Sequence, residues 1–202
     1  MKPSIIAITV ALIAISSTFS RAQEVPKDVI DGLTEIYAEK YPDNFSMQKL
    51  LIESQIKSYK FLASWGVPDG VPRDVFVKLR NDYYDEYPEN YSMQETLVKS
   101  QVKSFKKLEQ WTSEDGVPRD VFKAIRENYK KEYPHNYSMQ ETLVESQVKA
   151  YKFLQSWKAP KGVPLAVFKK LRKKYEDSYP TNYSMQQTLV ESQLKDYLEL
   201  HK

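Results

Sequence analysis

Two landmarks recur along this chain at one fixed interval. Val-Pro begins at Val25, Val71, Val117 and Val163, and Tyr-Pro at Tyr41, Tyr87, Tyr133 and Tyr179, so both ladders have a period of 46 residues. Each Tyr-Pro is followed, after one variable residue, by Asn, an aromatic ring and Ser-Met-Gln, as in Asn90-Tyr91-Ser92-Met93-Gln94. A repeat of roughly 20–50 residues means that no unit buries its apolar face alone, so neighbours must stack. The expected organisation is four units, 25–70, 71–116, 117–162 and 163–202, making one domain over 23–202.

Each unit reads as two helices. Pro72 suits the first helical position, where a missing N–H costs nothing, and Pro88 ends that helix near Tyr87. Ser92 with Glu95 three residues on reads as a capping box opening the second helix, repeated as Ser138/Glu141 and Ser184/Gln187; that helix runs to about Trp111. The first unit departs with Lys49, which removes the reciprocal bond and sets a cation on the positive end of the helix dipole. Its second helix is therefore expected to start less firmly. Segments such as Gly66-Val67-Pro68-Asp69-Gly70 and Ala159-Pro160-Lys161-Gly162 read as connecting loops, and strand signals are missing.

The helical faces set the architecture. In unit two Val75, Phe76, Leu79, Tyr83 and Tyr87 form one stripe about 120° wide. In the second helix of unit three, residues from Met139 to Trp157 spread apolar character over about 220°, with Ser146 and Ala150 inside the arc. A helix apolar on two sides belongs between its hairpin mate and the next hairpin. The expected class is all-α: eight helices in four tandem helical-hairpin repeats stacked as a short α-solenoid.

Glutamines fall in the middle of that arc in every unit: Gln48/Gln55, Gln94/Gln101, Gln140/Gln147 and Gln186/Gln193. A buried carboxamide without partners costs about 1–3 kcal/mol, so these side chains must be bonded. Two readings stand. The amides are internal struts tied to tyrosine hydroxyls or loop carbonyls, or they line a groove and pair with an extended peptide or a glycan.

Charge is balanced overall, with 30 Lys plus Arg against 27 Asp plus Glu, which argues against a polyanion and hence against nucleic acid. It is uneven along the chain. Basic and acidic residues number 5 and 7 in 25–70, 7 and 9 in 71–116, 9 and 5 in 117–162, and 7 and 5 in 163–202. Lys169, Lys170, Arg172, Lys173 and Lys174 concentrate the basic end and suit either a solvated face or an anionic partner.

Residues 1–22 read as a secretory signal, with Lys2, an apolar run from Ile5 to Ile15, and Ser20-Arg21-Ala22 before the cleavage point. The run is shorter than the roughly 20 residues a membrane-spanning helix needs, so no integral anchor is expected after cleavage and the mature chain is expected to be secreted or periplasmic. In a eukaryotic secretory pathway Asn44, Asn90, Asn136 and Asn182 would be N-glycosylation acceptors. The fifteen tyrosines and three tryptophans sit at helical spacing and read chiefly as packing.

Catalytic chemistry has little to work with. The chain has no cysteine and five glycines, His135 replaces Asp43, Glu89 and Thr181 of the other units, His201 is near the last residue, and Ser100, Ser146 and Ser192 have no repeated imidazole beside them. No catalytic residue, cofactor site or metal site is expected. The leading expectation is a non-enzymatic binding or scaffolding module presenting a groove along successive second helices to a protein, peptide or polysaccharide. The alternative is a self-associating structural protein whose acidic N-terminal half meets the basic C-terminal half of another copy.

Overall fold

The computed structural model describes residues 24–113 and 116–201. Residues 1–22, read from sequence as a secretory signal, lie outside the described residues. Within them the chain is all-helical: α1 Lys27–Lys40, α2 Phe45–Ser64, α3 Arg73–Glu86, α4 Tyr91–Gln110, α5 Arg119–Glu132, α6 Tyr137–Ser156, α7 Leu165–Ser178 and α8 Tyr183–Leu200, with no strand among the described residues.

The odd-numbered helices start one residue later than the sequence suggests. Pro26, Pro72, Pro118 and Pro164 are the capping residues, with extended ψ near 140°, and the helix begins after them. Each stops at Glu86 or its counterpart because the following Tyr closes the last turn, as Tyr87 N donating to Tyr83 O at 3.0 Å does, and a proline follows. Ahead of the three later hairpins Gly70, Gly116 and Gly162 adopt φ of 75°, 84° and 87°, a left-handed turn that delivers Val71, Val117 and Val163 into the core.

The helix contacts are consistent with a stack of helical repeats. Within each hairpin the two helices pack together, and α2, α4, α6 and α8 pack side by side in series. The first helices of successive hairpins, by contrast, make no close backbone approach to one another. The even helices therefore form a continuous layer from which the odd helices stand out as separate ribs.

The core is distributed along that layer. One cluster joins Leu108 of the second hairpin to Val117, Phe122, Ile125, Tyr129, Val144 and Val148 of the third. Its counterparts gather around Val98 and Phe76, and around Val190 and Phe168. Trp65, Trp111 and Trp157 cap the even helices and set their rings edge-on against Phe76, Phe122 and Phe168 of the next hairpin, with centroids 5.1–5.4 Å apart. In α6, Ala150 is buried as expected, whereas Ser146 is exposed. The apolar arc is narrower there than the wheel suggests, because the odd helix covers only one flank.

Candidate functional site

The eight glutamines form two chemically distinct rows. Gln48, Gln94, Gln140 and Gln186 each donate through Nε2 to the carbonyl of the tyrosine seven residues earlier, at 2.5–2.6 Å. They latch each hairpin's own turn. Gln101 joins its own hairpin to the next: Nε2 donates to Tyr83 Oη of its hairpin mate α3 (3.0 Å) and, on the next hairpin, to Asn136 Oδ1 (3.2 Å) and Ser138 Oγ (2.9 Å), while Oε1 accepts from Ser138 N (3.1 Å). Gln55 and Gln147 repeat that set with Tyr37, Asn90 and Ser92, and with Tyr129, Asn182 and Ser184.

For the buried members of the glutamine line the strut reading fits and the ligand-facing one does not. Gln101 and Gln147 are 3% and 2% exposed and their amides are already saturated by the protein, so they act as struts between hairpins. Gln193 differs. It has the same place in α8, the last of the described helices, and it is exposed.

The capping boxes are also corrected. The N-cap of α4 is Asn90, whose Oδ1 accepts from Met93 N at 3.1 Å; Asn44, Asn136 and Asn182 cap α2, α6 and α8 in the same way. Asparagine two residues before the serine already satisfies the first turn, which frees Ser92 to accept from Gln55 and donate to Asn90 Oδ1. Asn44 makes the same bond in α2, so that helix too is capped although it carries Lys49 near its start. The four asparagines proposed as glycan acceptors are thus the caps themselves.

Glu95 and Glu141 do another job. Glu95 bonds Lys99 and, on the preceding even helix, Ser58; Glu141 bonds Lys107 and Ser104, both on the preceding helix. Lys107 also pairs with Glu145. Burial opposes ionisation of Glu141, but the hydrogen bonds from Lys107 and Ser104 outweigh it and hold the carboxyl below its ordinary range. A lowered carboxyl pKa stabilises the fold above the unfolded-state value and is lost as pH falls through the folded one. Acid titration of thermal stability should therefore drop below about pH 4, and Glu141→Gln should flatten part of that drop.

Where α3 and α5 stand apart, a cleft of about 1060 Å³ opens over the even-helix layer. Its floor is Phe105, Leu108, Tyr137 and Val144, and its walls include Val75, Trp111 and Phe122. Arg119, Lys123, Arg126 and Lys130 line it from α5, against Glu109 and Glu127. Lys123 pairs with Glu127 and Arg126 with Glu109, both at 3.6 Å, so among the described residues the lining carries more basic than acidic groups. His135, read from sequence as a drifting surface position, also borders the cleft. One signal could have marked this place: Arg80, Arg126 and Arg172 lie four residues after Phe76, Phe122 and Phe168, with guanidinium carbons 5.9–6.0 Å from the ring centroids.

The basic run on α7 divides in the structure. Arg172 folds inward and donates to Leu154 O at 2.6 Å, and burial lowers its pKa. Lys173 pairs with Asp177 at 2.5 Å and Lys174 stands over the Tyr175 ring. Lys169 and Lys170 are exposed. Arg172 thus leaves the group, while the four lysines remain exposed on α7.

The aromatic pattern is packing, with an inter-hairpin geometry that spacing did not disclose. Tyr91, Tyr137 and Tyr183 set edge-on against Tyr59, Phe105 and Tyr151 of the preceding even helix, each at 5.0 Å. Burial, followed by the Tyr59 ring beside it, pushes the Tyr91 phenol up to about 12, so it stays neutral at this junction.

Among the described residues no helix is long and apolar enough to cross a membrane, and no three His, Cys, Asp or Glu side chains gather as a metal site. No protein-family model, curated protein or solved structure matches the chain.

Proposed function

We propose that this protein is an exported, non-enzymatic binding module, a short α-solenoid of four hairpin repeats that holds an acidic segment of a partner protein. One observation carries this reading. The odd helices stand apart over a continuous even-helix floor, and the cleft between α3 and α5 combines aromatic surface with a base-rich rim. The groove expected along the second helices thereby becomes a groove floored by them and walled by the first helices. Repeated hydroxyls and amides, which a catalytic reading would need free, are consumed in joining the hairpins. Export rests on the signal-like pattern of residues 1–22.

A peptide with alternating Asp or Glu and aromatic residues is the appropriate probe, read by Trp111 fluorescence. Binding should weaken steeply with salt. Lys130→Glu together with Arg119→Glu, both on the α5 wall, should weaken it at least tenfold while helicity is unchanged. Equal binding of a basic peptide, or no response to the charge reversal, would refute the proposal.

A further inference from the structure

The described helices are bounded by two faces that carry complementary halves of the junction made three times between them. Each internal junction follows a positional rule: a residue on one even helix meets those 32, 35 and 37 positions later on the next, as Phe105 meets Tyr137 and Gln101 meets Asn136 and Ser138. Extending the rule past α8 and subtracting four periods of 46 brings Tyr197 to Phe45, and Gln193 to Asn44 and Ser46. All the parts are present. Phe45, at the place of the stacked Tyr91, is 74% exposed, and Gln193, at the place of buried Gln147, is exposed too.

We propose that copies of this chain dock head to tail, α8 of one copy seating on α2 of a second and repeating the internal junction. Charge singles out a second copy as the occupant. Internally the 37-residue rule pairs Ser58 with Glu95, Ser104 with Glu141, and Ala150 with Gln187. At the ends it pairs Asp196 with Lys49 of the second copy. The Lys107–Glu141 bridge likewise becomes Glu199 with Lys49, the same ion pair with its signs exchanged. Had only one end changed, Asp196 and Glu199 would face a glutamate.

By the same alignment Glu199 also meets Glu53, at the place of Lys107 and Glu145, and Lys195 meets Lys49, so the attraction at this junction is carried by the pairs of Asp196 and Glu199 with Lys49. Glu53 lies 3.9 Å from Lys49 on its own helix. The end of the basic half is therefore locally acidic, and the start of the acidic half presents a lysine. This replaces whole-half attraction with a residue-level code. Because the two faces differ, each added copy exposes a fresh one, giving chains, or rings where the rotation closes.

Sedimentation velocity on the full chain, purified as the host processes it, tests this over a range of concentrations at low and high salt. Concentration-dependent growth beyond the monomer that diminishes with salt is expected. Lys49→Glu, and separately Asp196→Lys with Glu199→Lys, should each weaken association tenfold or more; all three sites are exposed, so helicity should be retained. An equimolar mixture of the two variants should associate again, since each then supplies the charge the other lacks. A monomer at every concentration in low salt, indifference to both variants, or a mixture that stays monomeric would overturn the proposal.

Discussion

Replacing Gln101 with Leu is expected to lower stability by about 2–3 kcal/mol, and replacing Gln193 with Leu to change it by less than about 0.5 kcal/mol. The side chains have similar volume, so the difference isolates the amide. At position 101 the substitution strips partners from Tyr83 Oη, Ser138 Oγ and the Ser138 backbone N–H at a junction buried between two hairpins. At position 193 the amide is exposed and water replaces whatever is lost. Gln147→Leu should match Gln101→Leu, because its partners Tyr129, Asn182 and Ser184 are the same set one period on. Urea unfolding followed by circular dichroism reads all three. Since a stack of repeats is held by nearest-neighbour junctions, Gln101→Leu should also broaden the transition as the two halves begin to unfold separately.

Asn136→Ala is the second large effect, expected at about 2 kcal/mol, whereas Asn136→Asp should be near neutral. Alanine removes the N-cap of α6 and, at the same oxygen, the acceptor used by Ser138 and Gln101. Aspartate keeps an acceptor in place and puts negative charge at the positive end of the helix. Thermal denaturation of the two variants separates these outcomes. In a double variant with Gln101→Leu the losses should add to less than their sum, because both substitutions break one network. If Asn136→Ala proved as mild as an isolated exposed cap, the asparagine would not be part of the junction.

Much of the helical layout was legible because it depends on local chemistry. Proline after Tyr87 cannot continue a helix, and proline at 72 favours starting one, whatever the rest of the chain does. The misplaced caps involve a contact from outside the local sequence. Asn90 and Ser92 are both good caps two residues apart, and in the structure Asn90 caps the helix while Ser92 is engaged by Gln55 from another hairpin. No window around Ser92 contains that information.

The candidate site was less legible for a related reason. A helical wheel places Gln94 and Gln101 at nearly one angle, yet one latches its own turn and the other crosses to the next hairpin. Lys49 looked like a defect in a capping box, and proves to be a change at the position where Glu95 and Glu141 face the preceding helix. Apart from the spacing of Phe122 and Arg126, the cleft left little trace in the sequence, since its aromatic floor is also core and its basic wall is an ordinary helix surface.

By itself the sequence determined helix type, helix length and the interval at which structure repeats, because turn residues, caps and apolar periodicity act within a few residues of one another. Only the tertiary structure decided which helices share a layer, which amides are struts, and where a cleft opens. Those outcomes depend on contacts between residues 32 to 37 positions apart, whose geometry is fixed when one hairpin packs on the next.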